Sequence, residues 1–150
     1  MNQANIYDHL NAEVWGYLAL LCLQDANGSR MVQANQALKE MIKCDLKNAG
    51  LLEELADTLA SLGKFELAET LYKKLLDNWQ NDNLATANNV GTIHAKLAKV
   101  YHVQERLLDA RMYYSEAMNY LEGETDRERI GVILADIGQG INNVESHSPN

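Results

Sequence analysis

The first 148 residues of this chain contain no proline; the single proline is Pro149. Proline removes a backbone donor and breaks helix interiors, so a stretch this long without one can run as unbroken helices. The apolar spacing agrees with helices almost throughout. Leu52, Leu55, Leu59 and Leu62 form one stripe, and Ala68, Leu71, Tyr72, Leu75 and Leu76 form the next. Leu97, Ala98, Tyr101 and Val103 form a third, and Tyr113, Tyr114, Ala117 and Leu121 a fourth. No alternating stretch suggests a strand. Leu, Ala, Glu, Lys and Gln are plentiful, and all are strong helix formers.

The breaks between stripes are short. Asn27-Gly28-Ser29 separates the first two helices, with Ser29 as the expected N-cap. Asn48-Ala49-Gly50 is expected to end the second helix, and Gly63 to supply a tight helix-to-helix turn. Asp82 or Asn81 is expected to cap a long fifth helix, and Thr125 to Glu128 to form a capping box before the last. Seven helices are expected, over about 10–25, 29–45, 50–62, 64–79, 83–104, 106–121 and 126–143. Met1 to Asp8 and Ser146 to Asn150 are expected to fray. Short turns make sequential helices antiparallel. The chain is long enough for one domain with a core of its own, and residues 1–150 are expected to form a single one.

Helix pairs in succession point to a repeat. Counted from Ala49, the second pair has Leu52 at position 4, Leu55 at 7, Ala56 at 8, Leu59 at 11, Gly63 at 15, Ala68 at 20, Tyr72 at 24 and Leu75 at 27. Small residues at 8 and 20 let two helices approach closely, and an aromatic at 24 fills space toward the next pair. This pattern resembles the tetratricopeptide repeat (TPR). Counted from Gly91, the third pair places Leu97, Ala98 and Tyr101 at 7, 8 and 11, and Ala110, Tyr114 and Ala117 at 20, 24 and 27. Counted from Ala12, the first pair places Trp15, Leu18, Ala19 and Cys22 at 4, 7, 8 and 11. Its second helix, with Ala34, Leu38 and Met41, keeps step only after about three extra residues.

The pattern is degenerate. No pair has the family's proline at position 32, and the starts lie 37 and 42 residues apart, from 12 to 49 and from 49 to 91. The resemblance implies an all-α, TPR-like α-solenoid with repeats over about 12–46, 49–80 and 91–122. A capping helix over about 126–143 would follow, its Ile130, Ile133, Leu134, Ile137 and Ile141 covering the last repeat. The segments Ala12 to Leu23 and Leu51 to Glu54 are further similar to the C-terminal TPR region of the cilia- and flagella-associated proteins of the axonemal central apparatus. That implies a piece of a larger ciliary protein, cytoplasmic or axonemal.

Charge narrows the partners. The formal net charge is -8, which disfavours phosphate backbones and anionic lipid surfaces, so neither nucleic acid nor membrane is expected as a partner. The apolar run from Val14 to Leu23 is about half a bilayer span, and no export signal is visible. Cys22 and Cys44 fall inside expected helices and read as free thiols.

Local spacing supports no catalytic, metal or cofactor site. His94 and His102 lie eight residues apart on one expected helix, about 12 Å along its axis, too far to share an ion. Gly63-Lys64 lacks the first glycine of a phosphate-binding loop, and Gly138-Gln139-Gly140 reads as a fraying helix end. Glu53 and Asp57 share a helix face, as a solvated or partner-binding surface rather than an acid–base pair. Trp15 reads as core; Trp79 is a candidate anchor for a partner.

The TPR resemblance implies a groove lined by positions 2, 5, 9, 12 and 13 of each first helix. These are Glu13, Gly16, Leu20, Leu23 and Gln24, then Gly50, Glu53, Asp57, Ala60 and Ser61, then Thr92, Ala95, Lys99, His102 and Val103. The strongest candidate contacts are Glu13, Leu20, Leu23, Gln24, Glu53, Asp57, Lys99 and His102. Such a groove would be acidic in the middle with apolar patches at one end, and would hold a basic and apolar protein segment. The family's carboxylate-clamping positions fall on Gly16, Leu20, Glu54, Thr92 and Lys96. Only Lys96 suits a carboxylate, so chaperone C-terminal tails are not expected to bind. A non-catalytic scaffold within a larger assembly is the expected role. The alternatives are a self-associating structural piece and, third, an enzyme or cofactor-binding helical protein.

Overall fold

The computed structural model describes residues 3–83 and 85–146, and these contain seven helices and no strand. The helices are α1 (Gln3–Leu23), α2 (Met31–Lys43), α3 (Ala49–Ser61), α4 (Phe65–Asp82), α5 (Ala87–Val103), α6 (Leu107–Tyr120) and α7 (Glu124–Ser146). They run as antiparallel pairs, with α7 last. The chain divides into two compact units, Met1–Asn78 and Trp79–Asn150.

In the first unit the buried side chains come from all four helices. Ala12, Ala19, Cys22, Ala34, Leu38, Met41, Leu52, Leu55, Ala56, Leu59, Ala68, Leu71, Tyr72 and Leu75 are all nearly inaccessible. Each large apolar side chain withdrawn from water contributes about 1.5–3 kcal/mol. The small residues among them act by letting helices close up. Buried Gly16 is the clearest case: a Cβ there would lie 2.8 Å from Leu51 Cδ2 and 3.4 Å from Met41 Sδ. Asn78 is the buried polar residue of this core. Its Nδ2 donates to the Leu46 carbonyl at 3.1 Å, and its Oδ1 accepts from Lys47 Nζ at 3.4 Å. The end of α4 is thereby tied to the α2–α3 connection.

The second unit buries Ile93, Leu97, Ala98, Val100 and Tyr101 of α5 with Ala110, Tyr114 and Ala117 of α6 and Ile130 and Ile137 of α7. Gly91 sits where α5 meets the end of α6, and a Cβ would lie 2.9 Å from Leu121 Cγ and 3.1 Å from the Leu121 backbone nitrogen.

Turn chemistry explains most boundaries. Gly63 has φ +76, and its N–H bonds the Ala60 carbonyl at 3.1 Å while Lys64 N–H bonds Leu59 at 2.9 Å. That is a Schellman ending, at the expected glycine. Four expected boundaries differ. Asn48 does not end the second helix: its Oδ1 accepts from Leu51 N–H at 3.0 Å, so it caps the start of α3. Ser29 is not an N-cap, because its hydroxyl donates to Asp25 Oδ2 at 2.6 Å. α4 runs through Asn81 and Asp82, and Thr86 caps α5 instead, accepting from Asn89 N–H at 3.2 Å. α7 begins at Glu124, ahead of the expected box. There Arg127 N–H bonds the Gly123 carbonyl, and the Arg127 guanidinium reaches back to the Met118 and Leu121 carbonyls at the end of α6. α7 also continues through Gly138 and Gly140 to Ser146. The expected fraying at Met1, Asn2 and 147–150 lies outside the described residues, and from Gln3 onward the chain is already helical.

Candidate functional site

α1, α3 and α5 carry the expected groove positions. In the first unit, Glu13 is half-buried and its Oε1 accepts from Asn48 Nδ2 at 3.4 Å. It steadies the residue that caps α3. Gln24 is exposed just beyond the end of α1. Leu20 and Leu23 are core rather than groove, with exposures of 7% and 3%. The reason lies in how α1 is turned. Its small-residue side, Ala12, Gly16 and Ala19, is buried, and that side carries Leu20 and Leu23 inward with it. The apolar patch expected at that end of the groove is therefore absent from those positions. Leu18, expected in the core at position 7, is 42% exposed for the same reason.

Glu53 and Asp57 are both half-buried on α3. Asp57 Oδ1 accepts the Tyr72 hydroxyl, linking α3 to α4. Burial first, then the Asp57 hydrogen bond and the Asp57 and Glu53 charges, holds the Tyr72 phenol far above its ordinary range. Asp57 thus has a structural duty inside the first unit.

In the second unit Thr92, Ala95, Lys99, His102 and Val103 all line one cavity of about 570 Å³. These are the five groove positions of the third repeat. Its far wall is α7, through Asp126, Arg129, Ile130 and Ile133. Lys96, Tyr114 and Leu121 complete the lining. His102 meets Tyr114 edge-on, with ring centroids 6.1 Å apart. Lys96, Lys99, Arg129 and Asp126 are the charged residues of the lining, with Asp126 Oδ1 3.9 Å from Arg129 Nη1. An apolar floor with a charged rim can hold a protein segment, because burial supplies affinity and the charges select its sequence.

No set of three or more His, Cys, Asp or Glu able to hold a metal occurs among the described residues. No described helix is long and apolar enough to cross a membrane. Cys22 is buried, Cys44 is half-buried, and both are free thiols.

Residues 1–131 match the sequence model described as the C-terminal domain of cilia and flagella-associated protein 70. The chain belongs to that family. Two curated relatives, both cilia- and flagella-associated protein 70, come from Macaca fascicularis and Homo sapiens. Each is 43% identical over 63 residues, which is 42% of this chain but only 6% and 5% of the relatives. The chain therefore matches a small part of much longer proteins. Among solved structures, the N-terminal domain of stress-induced protein-1 from C. elegans superposes with a TM-score of 0.64 at 11% identity, over 87% of this chain and 97% of that one. BtubC from P. vanneervenii gives 0.59 at 23% identity, over 89% of this chain and 57% of that one. Identities this low speak for the fold alone, and that fold is TPR-like.

The wall that α7 adds to the family's groove was only partly legible. Its isoleucine spacing marked a covering helix, but Arg129 carried no signal of its own. Trp79 is half-buried in the second unit and does not line the cavity.

Proposed function

We propose that the chain is a non-catalytic interaction module of a ciliary protein, holding a protein segment at first-helix positions of a repeat. The observation that carries this reading is the α5–α7 cavity, in which all five third-repeat groove positions meet a wall of two isoleucines and two charged residues from α7. Membership of the cilia and flagella-associated protein 70 family supports a ciliary, axonemal setting. In the second unit Lys99 with Arg129 suits an acidic residue of a bound segment, and in the first unit, taken by itself, Glu53 suits a basic one. No reaction is assigned to the chain. Nor is a carboxylate clamp: Gly16 and Leu20 are buried and Glu54 would repel a terminal carboxylate. A peptide ending in Glu-Glu-Val-Asp is expected not to bind at micromolar concentration.

The test is capture from ciliated-cell extract by the wild type, Glu53→Lys and Lys99→Glu. Asp57 is left intact because it holds Tyr72. Axonemal proteins retained by the wild type and lost by either variant support the reading. Equal capture by all three baits would remove the groove, and capture of no axonemal protein would remove the ciliary role.

A further inference from the structure

We propose that this chain pairs with a second copy of itself through the outer face of α1. Leu10, Val14, Tyr17, Leu18 and Leu21 are all between 42% and 65% exposed. At about 100° per residue they form a stripe roughly 100° wide, the width a helix normally buries. The stripe lies on the side of α1 opposite Gly16 and Leu23, which face the unit's interior.

Leu10, Val14, Tyr17 and Leu21 are spaced four, three and four residues apart. That is the seam spacing of two helices packed side by side. The stripe contains no charged residue, so two copies can meet there without repulsion although each chain carries a net charge of -8. The nearest carboxylates are engaged elsewhere: Glu13 accepts from Asn48 and Asp25 from Ser29. Antiparallel pairing about a two-fold axis between Val14 and Tyr17 would set the same apolar stripe on both sides, as a closed dimer requires. Five side chains of roughly 200 Å² apiece, about half exposed, offer on the order of 500 Å² per copy, so a pair would bury up to roughly 1,000 Å², the threshold for a specific interface and the range of a reversible one.

Sedimentation equilibrium from low to high micromolar concentration tests this independently of the groove. The wild type is expected to approach twice the monomer mass. Val14→Glu/Leu21→Glu should stay monomeric with unchanged helicity, since both positions are exposed, and Glu53→Lys should still pair. A wild type that remains monomeric throughout would assign the stripe to some other helix and overturn the proposal. Pairing that survives in the double variant would overturn it equally.

Discussion

Glu105 occupies the turn position that Gly63 holds one repeat earlier, and it does so with φ 60. Its N–H bonds the His102 carbonyl at 3.0 Å and Arg106 N–H bonds Tyr101 at 3.0 Å, the same Schellman ending with a side chain in the left-handed region. An L-residue there costs about 1–2 kcal/mol that glycine does not. Glu105→Gly is therefore expected to raise stability by about 1 kcal/mol in urea denaturation, after the looser unfolded chain takes back part of the gain. A drop in midpoint would refute the turn assignment. Gly91 is the opposite case. A side chain at that position meets the Leu121 backbone as well as its side chain, and backbone cannot swing away. Gly91→Val is expected to cost about 2 kcal/mol by overpacking, read as a lowered urea midpoint with the slope unchanged.

Between α5 and α6 the rings stack in a row. Tyr120 lies over His94 at 5.5 Å, His94 over Tyr113 at 6.0 Å, and Tyr113 over Tyr101 at 5.2 Å. The Arg106 guanidinium closes the row 4.5 Å above Tyr101. The apolar stripes announced Tyr101 and Tyr113, but not that they stack with His94 and Tyr120, because the row joins residues from two helices whose relative rotation only packing sets. Burial lowers the His94 pKa, against a smaller opposing pull from Glu116, and His94 Nδ1 is buried without a hydrogen-bond partner. The sign follows directly. The unfolded chain takes up a proton near pH 6.5 and the folded chain only lower, so this contribution is complete above about 6.5 and is lost as pH falls through the folded value. Stability measured by urea unfolding should decline between pH 7.5 and 5.5, and His94→Phe should flatten that decline. An equally steep decline in the variant would show that another group is responsible.

Across the whole molecule, stability is expected to come from burial and turn chemistry rather than from metals or cross-links. A chelator should leave the melting temperature unchanged, as should a reductant; a fall of several degrees with either would reveal a bound ion or a disulfide. The acidic charge belongs to the molecule as a whole and not to each face of it. The first unit places Glu53 and Asp57 on α3, whereas the second gathers Lys96, Lys99 and Arg129 around its cavity. A net charge can disfavour nucleic acid and lipid, but it cannot choose between an acidic and a basic protein segment, because that choice is made groove by groove.

Helix content, the repeat and the family could all be read from the order of residues. Each rests on short-range spacing: apolar residues three and four apart, small residues at fixed offsets, glycine at one turn. Two kinds of feature needed the packed chain. One is a boundary at which a residue has two uses, as Asn48 does, since a polar side chain after one helix can as well begin the next. The other is the orientation of α1. From Val14 to Leu23 nine of the ten residues are apolar, the tenth being Gly16, so periodicity prefers no side of this helix. What decides is close approach at Ala12, Gly16 and Ala19, the side of this stretch of α1 whose residues are small enough for its neighbours to come near. That contact turns Leu20 and Leu23 into the core and leaves Val14, Leu18 and Leu21 in water.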